Sequence, residues 1–239
     1  MTRDDAPWGG SPLTRREKAT EAARYDAWYA TPRGRWIGES EFHLLERMLG
    51  ATRGSTLLDV GCGTGWFTRR FHAAGIAVTG LDRSGDSLEF ASRRSPGAIR
   101  YVQGDACRLP FRDRGFDHAI AVTSLCFVDD WTRAVAELVR VSRRGFAVGL
   151  LNRRSLLWRD KGRGGGSGAY AGARWDEADT VLRALRPLAL EAVDVRTAVY
   201  LPSGSPLARV AERIIPDRVP WGAFLAVAAT VAKGGAAAG

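Results

Sequence analysis

Five short apolar runs, Thr56 to Val60, Ile76 to Leu81, Ile99 to Val102, His118 to Val122 and Phe146 to Leu151, alternate with helix-length amphipathic segments through the middle of the chain. Runs of four to six residues bounded in this way read as strands, and the intervening segments are long enough to return the chain across a sheet in the same direction. That alternation specifies a doubly wound α/β sheet with helices on both faces. Asp130 is placed to cap the helix before the fifth run, whose Trp131, Val135 and Leu138 follow helical spacing.

The flanks are read from weaker signals. Thr14 to Glu17 has the form of a capping box opening a helix that runs to about Ala30 and is ended by Pro32 and Gly34. A second helix, about Glu39 to Leu49, carries Phe42, Leu45, Met48 and Leu49 on one face. Residues 153 to 174 are rich in arginine and glycine and read as a mobile loop. A helix at Asp176 to Leu185, a strand at Leu190 to Leu201, an inserted helix at Leu207 to Ile215 and a strand at Ala223 to Val231 complete the order, and residues 234 to 239 read as a frayed tail. The expectation is one domain spanning 1–239: a helical lid (1–50), a cofactor-binding half (51–151), and a substrate-side loop with C-terminal strands (152–239).

Composition narrows the class further. With 239 residues, 45% of them hydrophobic, the chain can bury a substantial core and is not disordered as a whole. The net charge of +9 comes almost entirely from arginine, because Lys18, Lys161 and Lys233 are the only lysines, and it permits an acidic partner without requiring one. Cys62, Cys107 and Cys126 are odd in number and lack CxxC spacing, which argues against a disulfide scaffold or a cysteine-rich zinc site and fits a reducing, cytoplasmic setting. No apolar stretch approaches the length of a membrane span, and no metal is expected.

Between the first strand and the next helix lies Asp59-Val60-Gly61-Cys62-Gly63-Thr64-Gly65. Glycines at alternate positions let a ligand lie against the backbone. The spacing is G-x-G-x-G and not the pyrophosphate-binding G-x-G-x-x-G, no basic residue stands between Gly61 and Thr68, and no P-loop lysine follows. A ligand without phosphates is favoured. Asp82, at the end of the second strand, can accept from both hydroxyls of a ribose, and Gly104-Asp105-Ala106 after the third offers a carboxylate and a backbone N–H suited to adenine.

In that order and spacing these motifs, with Gly80-Leu81-Asp82, Gly104-Asp105-Ala106-Cys107-Arg108-Leu109-Pro110-Phe111 and Phe116-Asp117, resemble the class I S-adenosylmethionine-dependent methyltransferase superfamily. The chain is most similar to the methyltransferase domain 11-like branch that includes small-molecule and quinone methyltransferases. The resemblance implies a Rossmann-like seven-stranded sheet with an antiparallel last strand, an N-terminal helical lid, and S-adenosyl-L-methionine as cofactor. It implies that Asp59 and Gly61, with Cys62, Gly63 and Gly65, hold the amino-acid end of that cofactor. Asp82 with Arg83 would hold the ribose, Asp105 with Ala106 the adenine, and Thr123 would line the site near the sulfonium. Tyr25 and Trp36 join the cofactor set through the lid.

A small-molecule acceptor follows from the same resemblance, with Trp28, Tyr29, Phe127, Asn152, Arg153 and Tyr170 as candidate substrate contacts. The arginine-rich segment after the fifth strand, including Arg153, Arg154, Arg159, Lys161 and Arg163, suggests that this acceptor is anionic. No residue announces itself as a catalytic base. His118 reads as a core or strand-end histidine and Cys126 as wall. Thr123-Ser124-Leu125-Cys126 lacks the Asn/Asp-Pro-Pro-Tyr-type motif of nucleic-acid amine methylation, so nucleic acid is a disfavoured acceptor. Two other readings share the sheet: a non-catalytic or RNA-docking module that binds the same cofactor, and a nicotinamide oxidoreductase, for which the glycine spacing is wrong.

Overall fold

The computed structural model describes residues 15–232, with side chains from residue 20 onward. The Thr14 to Glu17 capping box and the tail from 234 lie outside what is described. Fourteen principal elements follow in the order α1 (Arg15–Trp28), α2 (Pro32–Leu49), β1 (Thr56–Val60), α3 (Trp66–Ala73), β2 (Ala77–Asp82), α4 (Gly85–Arg94), β3 (Arg100–Gln103), β4 (Phe116–Val122), α5 (Trp131–Val141), β5 (Ser142–Leu151), α6 (Ala178–Leu185), β6 (Leu190–Ala198), α7 (Pro206–Ile214) and β7 (Phe224–Val231).

The strands form one sheet in the order β3-β2-β1-β4-β5-β7-β6. All neighbours from β3 to β5 pair in parallel, and β7 runs antiparallel to both β5 and β6. Seven strands with an antiparallel last one match the expectation. The order reverses between β1 and β4, so their outgoing connections diverge and leave a crevice at the C-terminal strand ends, where ligands of open α/β sheets sit.

Alternation along the strands divides the core into two layers. Leu57, Val78 and Ile120 face α2 and α3, where Ile37, Phe42, Leu45, Phe67 and Phe71 are buried. Leu58, Val60 and Leu81 face α5 and α6, where Val135, Leu138, Val181 and Leu185 are buried. Asp130 caps α5 as expected, accepting from Arg133 N at 3.1 Å.

Three sequence expectations need correction. Pro32 and Gly34 do not end a helix; they begin α2. Thr31 is its N-cap, with Oγ1 accepting from Gly34 N at 3.0 Å, and proline suits the first turn because its missing N–H would have had no helical partner. Gly34 is required for a different reason, since a Cβ there would lie 2.1 Å from Trp28 O where α1 turns into α2.

The segment after β5 is not an unstructured loop. It is a series of short helical turns, Trp158–Gly162, Arg163–Gly165 and Gly168–Tyr170. Arg174 fastens its far end, reaching Asp176 at 2.9 Å and Leu125 O at 3.1 Å while its guanidinium lies 4.5 Å from the Trp131 ring centroid.

Asn152, expected to touch substrate, is instead a buried clamp between β5 and β7. Its Nδ2 donates to Pro220 O at 2.9 Å and Gly222 O at 2.7 Å, and its Oδ1 accepts from Arg154 N at 3.0 Å. Among the described residues no helix is long and apolar enough to cross a membrane, and no group of His, Cys, Asp and Glu is arranged to hold a metal ion.

Replacing Asn152 by Ala leaves two inward carbonyls without donors, at about 1 to 3 kcal/mol each for a buried unsatisfied group. Asn152→Ala is expected to lower unfolding stability by about 2 to 6 kcal/mol in urea titrations. Ligand affinity of the folded variant stays within twofold of wild type; a selective loss of affinity at unchanged stability would return Asn152 to the site.

Candidate functional site

The loop from β1 to α3 is shaped by three glycines that are not equivalent. Gly61, Gly63 and Gly65 all have positive φ, at 72°, 51° and 77°. A Cβ at Gly61 would lie 2.4 Å from Ser124 Cβ, and one at Gly65 would lie 2.5 Å from Tyr101 Oη, so these two glycines permit packing against the protein itself. A Cβ at Gly63 would meet no protein atom within 4 Å, which leaves its surface open to a ligand. Gly61 N and Cys62 N donate to Leu81 O, at 2.7 and 3.0 Å, and Gly63 N donates to Asp82 Oδ2 at 2.8 Å.

Beyond this loop opens a cavity of about 2290 Å³. Its floor is the ends of β1 and β4, with Asp59, Gly61, Cys62, Gly63, Thr123 and Ser124. Tyr25, Trp28 and Tyr29 form its roof at the end of α1, and Ile37 and Glu41 contribute from α2. Arg83, Phe127 and Tyr170 line it too, along with Val199 and Leu207 from the β6–α7 region. The volume exceeds that of a typical single small-molecule site, so it can hold a nucleoside-sized group and a second ligand together.

Several expected site residues lie outside this lining. Trp36 packs against the α2 core layer. Asp82 has one oxygen on Gly63 N and the other on Ser84 N at 2.9 Å, and each oxygen retains a further lone pair. Asp105 and Ala106 stand past β3 beyond Gln103, with Asp105 Oδ1 accepting from Cys107 N at 2.8 Å.

Arg153 departs furthest from its expected place. It sits in a separate cleft of about 630 Å³, its guanidinium 5.5 Å from the Trp158 ring centroid and on the same ring as Arg163. Of the basic residues expected to surround an anionic acceptor, Lys161 lines the large cavity, whereas Arg153, Arg154, Arg159 and Arg163 do not. The cavity's other basic lining residues, Arg24, Arg33 and Arg83, come from outside that segment.

Asp59 is the most constrained charged group of the floor. It is 1% exposed and Oδ2 accepts from Thr68 Oγ1 at 2.6 Å, yet burial, with the charge of Asp82 nearby, pushes its carboxyl up to about 7. Burial likewise pushes the Cys126 thiol up to about 12, which removes it as a ready nucleophile. Thr123, at the end of β4, has φ 49°, an unusual conformation for a non-glycine residue, and its N donates to Gly149 O at 2.8 Å. Tyr25 and Tyr29 hydroxyls lie 3.1 Å apart, and Tyr29 stacks on Trp66 at 4.5 Å between centroids.

The roof is tied down ionically. Asp26 of α1 meets Arg69 of α3 at 2.6 Å and Arg94 of α4 at 3.6 Å, while Arg69 also donates to Thr64 O inside the glycine loop at 2.7 Å.

The sequence reading missed Glu41, Ser124 and Val199. Glu41 carried a signal: it falls on the buried stripe of α2 with Ile37, Leu44 and Leu45 at helical spacing. Val199 did not, because nothing local marks a β-branched residue for φ 63°.

Asp59 and Glu41, whose carboxyl burial pushes up to about 8, both titrate higher when folded than unfolded. Their contribution to stability is complete below about pH 4 and is lost as pH rises through about 7 and about 8. Scanning calorimetry of the ligand-free protein should show melting temperature falling from pH 5 to 9, with a shallower fall in Asp59→Asn. Parallel profiles for the two proteins would refute the assignment to Asp59.

Residues 58–148 match the family model described as Methyltransferase domain. A malonyl-[acyl-carrier protein] O-methyltransferase of Pectobacterium atrosepticum is 37% identical over 123 residues, covering 47% of this chain and 48% of the relative. A demethylmenaquinone methyltransferase of Renibacterium salmoninarum is 38% identical over 97 residues, covering 41% and 40%. The chain therefore matches less than half the length of these curated relatives. A Thermotoga maritima crystal structure described as an S-adenosylmethionine-dependent methyltransferase, possible histamine N-methyltransferase, superposes with a TM-score of 0.71 at 26% identity, covering 89% of this chain and 96% of that one. Residues 58–148 thus carry a methyltransferase domain, within a fold that superposes over nearly its whole length on a structure described as an S-adenosylmethionine-dependent methyltransferase.

Proposed function

We propose that this protein transfers a methyl group from S-adenosyl-L-methionine to a small molecule held in the cavity between the glycine loop and the roof of α1. The observation that carries this reading is the open surface at Gly63, beside a buried carboxylate and without a basic group in the loop. A cationic, phosphate-free nucleoside fits that chemistry, and a dinucleotide does not.

The cofactor supplies an electrophilic methyl on a sulfonium. Gly63 leaves room for its amino-acid end, and Asp59 offers a counter-charge to its ammonium, which would draw the carboxyl back toward ionisation. The spare lone pairs of Asp82 suit two ribose hydroxyls, and the rim past Gln103 leads to Asp105 and Ala106 for the adenine. Thr123, Cys126 and Tyr25 lie where the two halves of the cavity meet. The aromatic roof excludes water and aligns the acceptor with the methyl, and such alignment can supply roughly 7 to 11 kcal/mol of a barrier.

The relatives are named for different acceptors, a malonyl group on an acyl carrier protein, a demethylmenaquinone and histamine, so the acceptor is not carried over from any of them. Gly63→Ala isolates the cofactor half, because its Cβ intrudes on the ligand surface and touches no protein atom. Calorimetric titration should give binding of S-adenosylmethionine and S-adenosylhomocysteine to wild type, weakened at least tenfold in Gly63→Ala, whose melting temperature falls by only a few degrees. NADH binding in their stead, or no adenosyl binding to folded wild type, would overturn the reading.

A further inference from the structure

Glu41 projects from the apolar stripe of α2 into the cavity wall and, among the described residues, has no hydrogen bond or ion pair. A carboxylate withdrawn from water without a partner is costly, and one kept at a ligand surface points to a partner that arrives with the ligand. Arg24, Arg33, Arg83 and Lys161 line the same cavity, and the charge of Arg33 is felt at Tyr170, but among the described residues none of them forms an ion pair with Glu41. From α7 the nearest charged group is Glu212, whose oxygens accept from Val199 N at 2.8 Å and Tyr200 N at 3.1 Å. Arg33, on the same helix, reaches the other way, with Nε donating to Pro202 O at 2.7 Å.

Around Glu41 the cavity is lined by Tyr25 and Tyr29 from the roof and Tyr170 from the turns after β5, and the charge of Glu41 is felt at all three. Burial holds the hydroxyls of Tyr25 and Tyr170 at about 12, so the rings stay neutral and keep electron-rich faces and acceptor oxygens. Neutral aromatic faces around an unpaired carboxylate are the chemistry that recognises an organic cation. Leu157, Val199, Leu207 and Phe224 complete an apolar wall.

From this arrangement we infer that the Glu41, Tyr25, Tyr29 and Tyr170 wall binds a protonated primary or secondary amine with an apolar body, and that this amine is the methyl acceptor. The inference rests on the methyltransferase reading of the same cavity. The amine arrives as R–NH₃⁺ or its secondary equivalent, its charge draws the Glu41 carboxyl to release its own proton to water, and the carboxylate so formed takes one proton from the ammonium. The nitrogen lone pair then forms the new N–CH₃ bond while the S–CH₃ bond breaks and its electron pair returns to sulfur. S-adenosylhomocysteine and a methylated ammonium leave, and the proton on Glu41 passes to water. A carboxyl pushed up to about 8 is suited to that exchange with an ammonium near neutral pH.

The test titrates the full chain, with and without saturating S-adenosylhomocysteine, with phenethylamine, tryptamine and N-methylphenethylamine, and with phenethyl alcohol and phenylacetate as neutral and anionic counterparts. The amines are expected to bind at least tenfold more tightly than both counterparts. Glu41→Gln should abolish that preference, and Glu41→Asp, which keeps the charge, should recover part of it. Thermal shifts of the cofactor-free protein report amine binding even if S-adenosylhomocysteine fails to bind, so loss of the cofactor reading is distinguishable from loss of this one. Unchanged S-adenosylhomocysteine affinity in Glu41→Gln shows that the variant is folded. No amine binding, equal binding of all three classes, or an amine preference that survives in Glu41→Gln would overturn the inference.

Discussion

Asp82 accepts from Gly63 N at 2.8 Å with one carboxylate oxygen and from Ser84 N at 2.9 Å with the other, and so fastens the loop after β1 to the end of β2. Leu81 O adds the N–H groups of Gly61 and Cys62. The loop is thereby held open at Gly63 before any ligand is present, so binding need not order it first. The same residue could not be freely altered to test ligand contact, because its removal would release two backbone donors as well.

Around that junction the molecule tolerates features that cost stability. Asp59 is buried with a single side-chain donor, Glu41 has no partner among the described residues, and Thr123 and Val199 adopt left-handed backbone conformations. All four lie on one cavity, whereas the two core layers on either side of the sheet are apolar and regularly packed. Arg114, with φ 51°, and His118, whose buried ring nitrogens have no partner, lie away from it, but the convergence of these four on one cavity is what a preorganised site looks like.

The central sheet was legible because its signals are local: strand β1 was bounded by the glycine loop, and β2 and β4 by runs whose two-sided burial leaves few polar positions. Pro32 was misread because proline is compatible with either side of a helix boundary, and the deciding contact, Gly34 against Trp28 O, lies between two elements. Arg153 and Asn152 were placed at the site by their position after β5. Their true partners, Trp158 in one case and the carbonyls of Pro220 and Gly222 in the other, depend on how the chain folds back. Glu41 was readable as a lone acid on an apolar stripe, but only the cavity gives that anomaly a use.

The ionic tether of the roof has two unequal arms. Arg69 is 20% exposed and its partner Asp26 10%, so this arm is shielded from mobile ions, while Arg94 is 58% exposed and held at longer range. Screening acts first on the exposed arm. In a salty medium the Arg94 arm would weaken first, but α1 would stay against α4 because the two helices are packed together there. Because Arg69 also holds Thr64 O, the shielded arm ties the roof to the glycine loop itself, so salt would loosen the outer edge of the roof and leave its link to the floor intact.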